Sequence, residues 1–254
     1  MNALAASLKT LGLFHTAQNL DAFLTQHKRA DPLALLTALA KAEETERKRR
    51  SLERRNRSCR VARFTPMADF DWAWPKTIPR QPIEAALTLD FIDAAQNIVL
   101  IGPAGVGKTM IAKNLVHTAV IKGHAALFIT AAELLNDLAK RDTAAALERR
   151  LKFYCHSIAL LCIDEVGYIS YESRGADLLF QIISRRHERK SLVLTSNLAF
   201  SDWHTVFPNA ACTVAMIDRL VEHASIIEIH GNSWRKKNAE AAILARATKS
   251  KSKT

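Results

Sequence analysis

Residues 102–109 read GPAGVGKT, and three of the chain's eight glycines fall between positions 102 and 107. An apolar run, NIVLI, stops at Gly102, and a longer mixed segment begins at Lys108. Apolar run, glycine turn and amphipathic segment in that order predict a buried strand, a tight loop and a helix. Four more short runs follow at intervals long enough for crossover helices: ALFIT, IALLCID, SLVLTSN and SIIEIH. None alternates apolar with polar residues, which is the mark of parallel strands covered on both faces. Five such strands predict a doubly wound α/β core with a five-stranded parallel sheet flanked by helices.

The spacing GxxxxGK[ST] carries chemistry as well as shape. Glycines let backbone N–H groups curl around a triphosphate, and the following helix aims its positive end at it. Lys108 reaches the terminal phosphates and the Thr109 hydroxyl ligates Mg²⁺. The nucleotide-binding set is therefore Gly102, Pro103, Ala104, Gly105, Val106, Gly107, Lys108, Thr109 and Met110. The third run ends in Asp164 and Glu165, two adjacent carboxylates at the strand end where ligands of open α/β sheets bind. Asp164 is expected to join Thr109 at the metal, and Glu165 to orient and deprotonate the attacking water. Asn197, at the tip of the fourth run, could hydrogen-bond the same water; read alone it is a turn or cap residue.

Charge is unevenly distributed. The 254 residues hold 36 Lys and Arg against 25 Asp and Glu, a formal charge of +11. Residues 1–66 hold 13 basic and 6 acidic side chains and residues 235–254 hold 7 and 1, so the stretch between them is near neutral. Asp31-Pro32 can cap and start a helix running into Arg47, Lys48, Arg49, Arg50, Arg54, Arg55 and Arg57. Because the surplus is concentrated, with no matching set of Glu, a polyanion partner is the expectation, with Arg47, Arg50, Arg54 and Arg57 as phosphate contacts. Lys140, Arg141, Arg149, Arg150 and Lys152 are further candidates, each open to the reading of a solvated helix face. The segment 64–82 carries four of seven prolines and two of four tryptophans, and is read as an extended linker pinned by aromatics.

The expected organisation is a basic helical domain over 1–66, an ATPase domain with its linker over 67–240, and a disordered basic tail over 241–254. With 48% apolar residues, a disordered chain is excluded. No apolar run reaches the roughly 18 residues of a membrane span. The N-terminal residues do not read as a secretion signal, so a cytoplasmic protein without a membrane partner is expected. Cys59, Cys155, Cys162 and Cys212 form no CxxC pair and are read as free thiols, Cys162 as a small buried hydrophobe.

The combination GPAGVGKT, LLCIDEVGYIS, LLFQIISRRHE, SLVLTSNLAFSDW, AMIDRL and GNSWR resembles the IstB-type helper ATPases of insertion-sequence transposition. Those are related to the DnaC helicase loaders and to DnaA within the AAA+ superfamily. The resemblance implies that Asn197 is the sensor 1 residue, Arg219 an arginine finger given to a neighbouring subunit, and Arg235 the sensor 2 arginine. Without it, Arg219 beside Asp218 reads as a helical salt bridge, and Arg235 as part of a cluster with Lys236 and Lys237. Relatives more often show Glu and Tyr at Asn232 and Trp234, and Tyr at Arg186, which weakens transfer of detail near the lid. The resemblance further implies ATP and Mg²⁺ as cofactors, a homo-oligomer with ATP at its interfaces, and as partners an IstA-type transposase and duplex DNA, held mostly through its phosphates by the cationic candidates above. Two rivals stay open: a DnaC-like helicase loader, and a scaffold that binds nucleotide without hydrolysing it.

Overall fold

The computed structural model describes residues 2–28, 31–75, 77–168, 170–237 and 239; the basic tail predicted over 241–254 lies outside them. The chain divides between Arg57 and Ser58 into two compact units. Among the described residues no helix is long and apolar enough to cross a membrane.

The first unit is helical: α1 (Asn2–Thr10), α2 (Phe14–Gln18), α3 (Leu20–Gln26) and α4 (Pro32–Ser58). Its small core joins Leu8, Ala17 and Leu20. Helix α4 starts as its sequence predicts, with the Ala34 N–H donating to Asp31 Oδ1 at 2.9 Å. Its basic run is not free of carboxylates, which corrects the expectation of an unpaired surplus. Lys48 pairs with Glu44 at 2.6 Å, Arg49 with Glu46 at 2.7 Å and with Glu53, and Arg50 with Glu46 at 2.7 Å. Arg47 donates to the Gly12 carbonyl at 3.3 Å. The cause is helical geometry: residues three and four apart meet on one face, so scattered Glu reach the run.

Hydrogen bonds from Arg49 and Arg50 pull the Glu46 carboxyl down from 4.5 to about 2. A depressed acid stabilises the fold fully above its unfolded value and loses that contribution as pH falls. Acidification from about pH 4.5 to 2 is expected to loosen this unit. In Glu46→Gln, helicity followed by circular dichroism should lack that step.

The second unit alternates strands and helices after α5 (Arg80–Thr88) and α6 (Asp90–Asp93): β1 (Asn97–Ile101), α7 (Lys108–Ile121), β2 (Ala126–Thr130), α8 (Ala131–Ala139), α9 (Ala144–Lys152), β3 (Leu160–Val166), α10 (Ser173–Arg186), β4 (Ser191–Ser196), α11 (Ala210–Val221) and β5 (Ala224–Glu228). The five predicted runs are the five strands, ordered β2-β3-β4-β1-β5 and all parallel. Every residue of β1 and β4 is buried, as continuous apolar runs require. Strand β5, at one edge of the sheet, departs from that reading: Ile227 is buried whereas Ile226 is exposed. From the neighbouring strands β1 and β4 the chain leaves in opposite directions along the sheet, to β2 and to β5, which opens a crevice at their carboxyl ends. The glycine loop sits there.

At the opposite, amino ends of β3 and β4, Arg186 is fully buried. Its guanidinium donates to the carbonyls of Tyr154 (2.6 Å), Ile158 (2.9 Å), Ala159 (3.0 Å) and Ser191 (2.6 Å). Burial lowers its pKa to about 10. This departure from the family's wording is therefore a clamp at the end of the sheet away from the loop, not a feature of the lid. Arg186→Met leaves four carbonyls without that donor and should cost about 3 kcal/mol or more in denaturant unfolding.

Candidate nucleotide site

Turn geometry and packing both demand glycine in the loop. Gly107 caps the start of α7 at φ +102°, and an added Cβ would stand 3.0 Å from the Phe70 ring. A Cβ on Gly105 would come within 2.1 Å of Ser233 Oγ, and the Trp234 N–H donates to the Gly105 carbonyl at 2.9 Å. The GNSWR segment thus rests directly on the loop.

Lys108 Nζ donates to the carbonyls of Gly102 (2.6 Å) and Pro103 (2.8 Å). Burial pushes its pKa below the ordinary lysine value; Arg235 adds to the effect, while Asp164 and Glu165 oppose it. Asp164, buried at the end of β3, gathers two hydroxyl donors on Oδ1: Thr109 Oγ1 at 3.2 Å and Thr195 Oγ1 at 2.5 Å. Two cavities meet at the loop. A small one of about 50 Å³ is lined by Ala104, Lys108, Thr109, Glu165, Asn197 and Arg235, together with Gly105, Tyr168 and Thr195. A larger one of about 240 Å³ has Gly105 to Met110 and Arg235 on one side.

The structure therefore gathers Lys108, Thr109, Asp164, Glu165, Asn197 and Arg235 around one end of the loop. Gly102 and Pro103 contribute carbonyls to Lys108 and line neither cavity. Arg219 lines neither cavity as well. On α11 it donates to the Ala215 carbonyl at 3.0 Å and lies over the Phe180 ring at 5.2 Å, in place of a bond to Asp218. Of the candidate DNA contacts in this unit, Lys140, Arg149 and Lys152 are exposed. Arg141 (2.5 Å) and Arg150 are instead held by Asp137, and Arg150 also stacks on Phe153 and Tyr154.

Two parts of the site have no counterpart in the sequence reading. The far wall of the larger cavity is built from the linker, with Thr65, Asp69, Phe70, Asp71 and Trp74 facing Trp234. Lys237 joins the two sides, 4.4 Å from the Trp74 ring, 4.6 Å from that of Trp234 and 3.9 Å from Asp71 Oδ2. The density of aromatics in FDWAWP was the available signal, read only as an anchor. Thr195 is the other; within an apolar strand nothing in the neighbouring residues marks it.

Comparison with known proteins agrees with this geometry. A family model described as IstB-like ATP binding protein matches residues 3–242. A protein named for ATP binding from insertion sequence IS21 of Pseudomonas aeruginosa is 31% identical over 251 residues, spanning 98% of this chain and 94% of its own. One from IS5376 of Geobacillus stearothermophilus is 34% identical over 200 residues, 79% of each chain. Among solved structures, DnaI aligns with a TM-score of 0.56 at 18% identity, over 66% of this chain and 92% of its own. DnaA bound to AMPPCP and single-stranded DNA aligns with 0.55 at 18% identity, over 66% and 50%. These structures share the fold, a phosphate-loop AAA+ core. The chain belongs to the IstB-like ATP-binding protein family.

Proposed function

We propose that the chain hydrolyses ATP with Mg²⁺ and, with nucleotide bound between copies, assembles on duplex DNA to help the transposase of its insertion sequence. The observation that carries the hydrolytic part is the convergence of Lys108, Thr109, Glu165 and Asn197 on one small cavity beside the glycine loop, with Asp164 bonded to Thr109 at its edge. The residues fit the groups they are expected to hold. Gly105 and Gly107 leave room where a Cβ would collide, and the amino end of α7 faces the loop, which suits a triphosphate. The oxygens of Thr109 and Asp164, 3.2 Å apart, are the hard donors that Mg²⁺ selects. Bound there, Mg²⁺ would neutralise charge on the phosphates.

The chain's own groups divide the remaining work. Lys108 holds the terminal phosphates, giving up its loop carbonyls to do so. Glu165 takes the proton of the attacking water and Asn197 orients that water. Arg235 comes from the segment that rests on the loop, and Arg219 serves the site of the next copy. The linker wall of Phe70 and Trp74, with Trp234 opposite, receives the base. The test is phosphate release by the purified chain with Mg²⁺, with and without duplex DNA and the cognate transposase. Release above background supports hydrolysis; none under any of these conditions leaves the scaffold reading.

DNA binding rests on the cationic amino-terminal residues and on exposed Lys140, Arg149 and Lys152. Phosphate contacts release counterions, so affinity for random duplex should fall about 10- to 10³-fold between about 50 and 200 mM salt. Fluorescence anisotropy at several salt concentrations checks this, and flat affinity would contradict a phosphate grip.

A further inference from the structure

We propose that Thr195 is the positioning residue that lets two consecutive carboxylates, Asp164 and Glu165, serve one site, an inference that rests on the hydrolytic reading above. In a regular strand successive side chains point to opposite faces, so Asp164 and Glu165 could not both face the glycine loop. The structure breaks that rule locally. The β3–β4 ladder pairs Ile163 with Leu194 and then Val166 with Ser196, so two residues of β3 stand opposite Thr195 alone. This is a bulge, the device that re-aims a side chain beside a site. Glu165 absorbs the extra residue with φ +63°, a left-handed conformation that a side chain other than glycine rarely adopts.

A single hydroxyl bridges both halves of the bulge. It has one proton to give and lone pairs to accept with. Thr195 Oγ1 gives its proton to Asp164 Oδ1 at 2.5 Å and accepts the Glu165 N–H at 3.0 Å. Thr195 is 1% exposed, so water does not compete for either bond. Asp164 is thereby turned toward Thr109, and the backbone of Glu165 is pinned in the conformation that brings its side chain to the small cavity. Asn197 follows two positions later on the same segment, so one stretch places both the carboxylates and the amide.

The test compares Thr195→Val, which keeps shape and removes the hydroxyl, with Thr195→Ser, which restores it. Hydrogen exchange at the Glu165 amide, followed by NMR on the full chain, reads the bridge without reference to activity. Exchange should be about 3- to 10-fold faster in the Val variant and close to wild type in the Ser variant. ATP turnover should fall about 10- to 100-fold in kcat for Val, with KM for ATP within about twofold, and recover in Ser. An amide equally protected in wild type and Val overturns the inference. So does a Val variant that turns over as wild type, or a Ser variant as impaired as Val. A wild type that protects this amide yet releases no phosphate contradicts the hydrolytic reading and leaves the bridge standing.

Discussion

Exchanging Arg219 for Ala should lower ATP turnover by about 10³-fold or more while ATP affinity stays within about twofold, because an arginine supplied by a neighbour stabilises the transition state and not the bound nucleotide. Within its own chain Arg219 lies on α11 over Phe180, lining neither cavity of the nucleotide site, so a role in hydrolysis has to be played in another copy. A complementation experiment exposes that. Arg219→Ala chains keep Glu165, and Glu165→Gln chains keep Arg219. Mixed together, two inactive proteins should regain turnover at interfaces where the Gln variant presents its arginine to an Ala variant's site. Persistent inactivity of the mixture, with both variants folded and binding ATP, would place Arg219 outside the reaction.

Glu165→Gln alone should cut turnover by about 10²- to 10⁴-fold, the range expected when a general base is lost. The amide cannot accept the water's proton, yet it preserves size and the backbone bond to Thr195. ATP-dependent assembly should therefore survive, and the variant should hold DNA-bound complexes longer than wild type. Size-exclusion chromatography with ATP and duplex DNA reads assembly; phosphate release reads turnover. A variant that neither assembles nor hydrolyses would show that Glu165 shapes the site and is not only a base.

Strands were legible, β5 included, because parallel strands covered on both faces are apolar throughout; the same logic misjudged the burial of β5, where Ile226 lies outside. The loop chemistry was legible because its residues are consecutive. The aromatic wall of the larger cavity was not, since Phe70 and Trp74 join Trp234 there only after the whole sheet intervenes. Charge counting misjudged Arg49 and Arg50, because Glu46 lies one helical turn before them and a net sum carries no turn. Arg186 read as an odd residue near the lid; only the amino ends of β3 and β4 explain it.

The central claim is that a magnesium-bound triphosphate sits between residues 102–109 and the carboxylates 164 and 165. Titration calorimetry of ATP into the full chain, with and without Mg²⁺, tests it most directly. The expected result is one saturable site per chain, lost in Lys108→Ala and, in Asp164→Asn, no longer tightened by Mg²⁺. Binding by Lys108→Ala equal to wild type, or no binding by wild type, would contradict it.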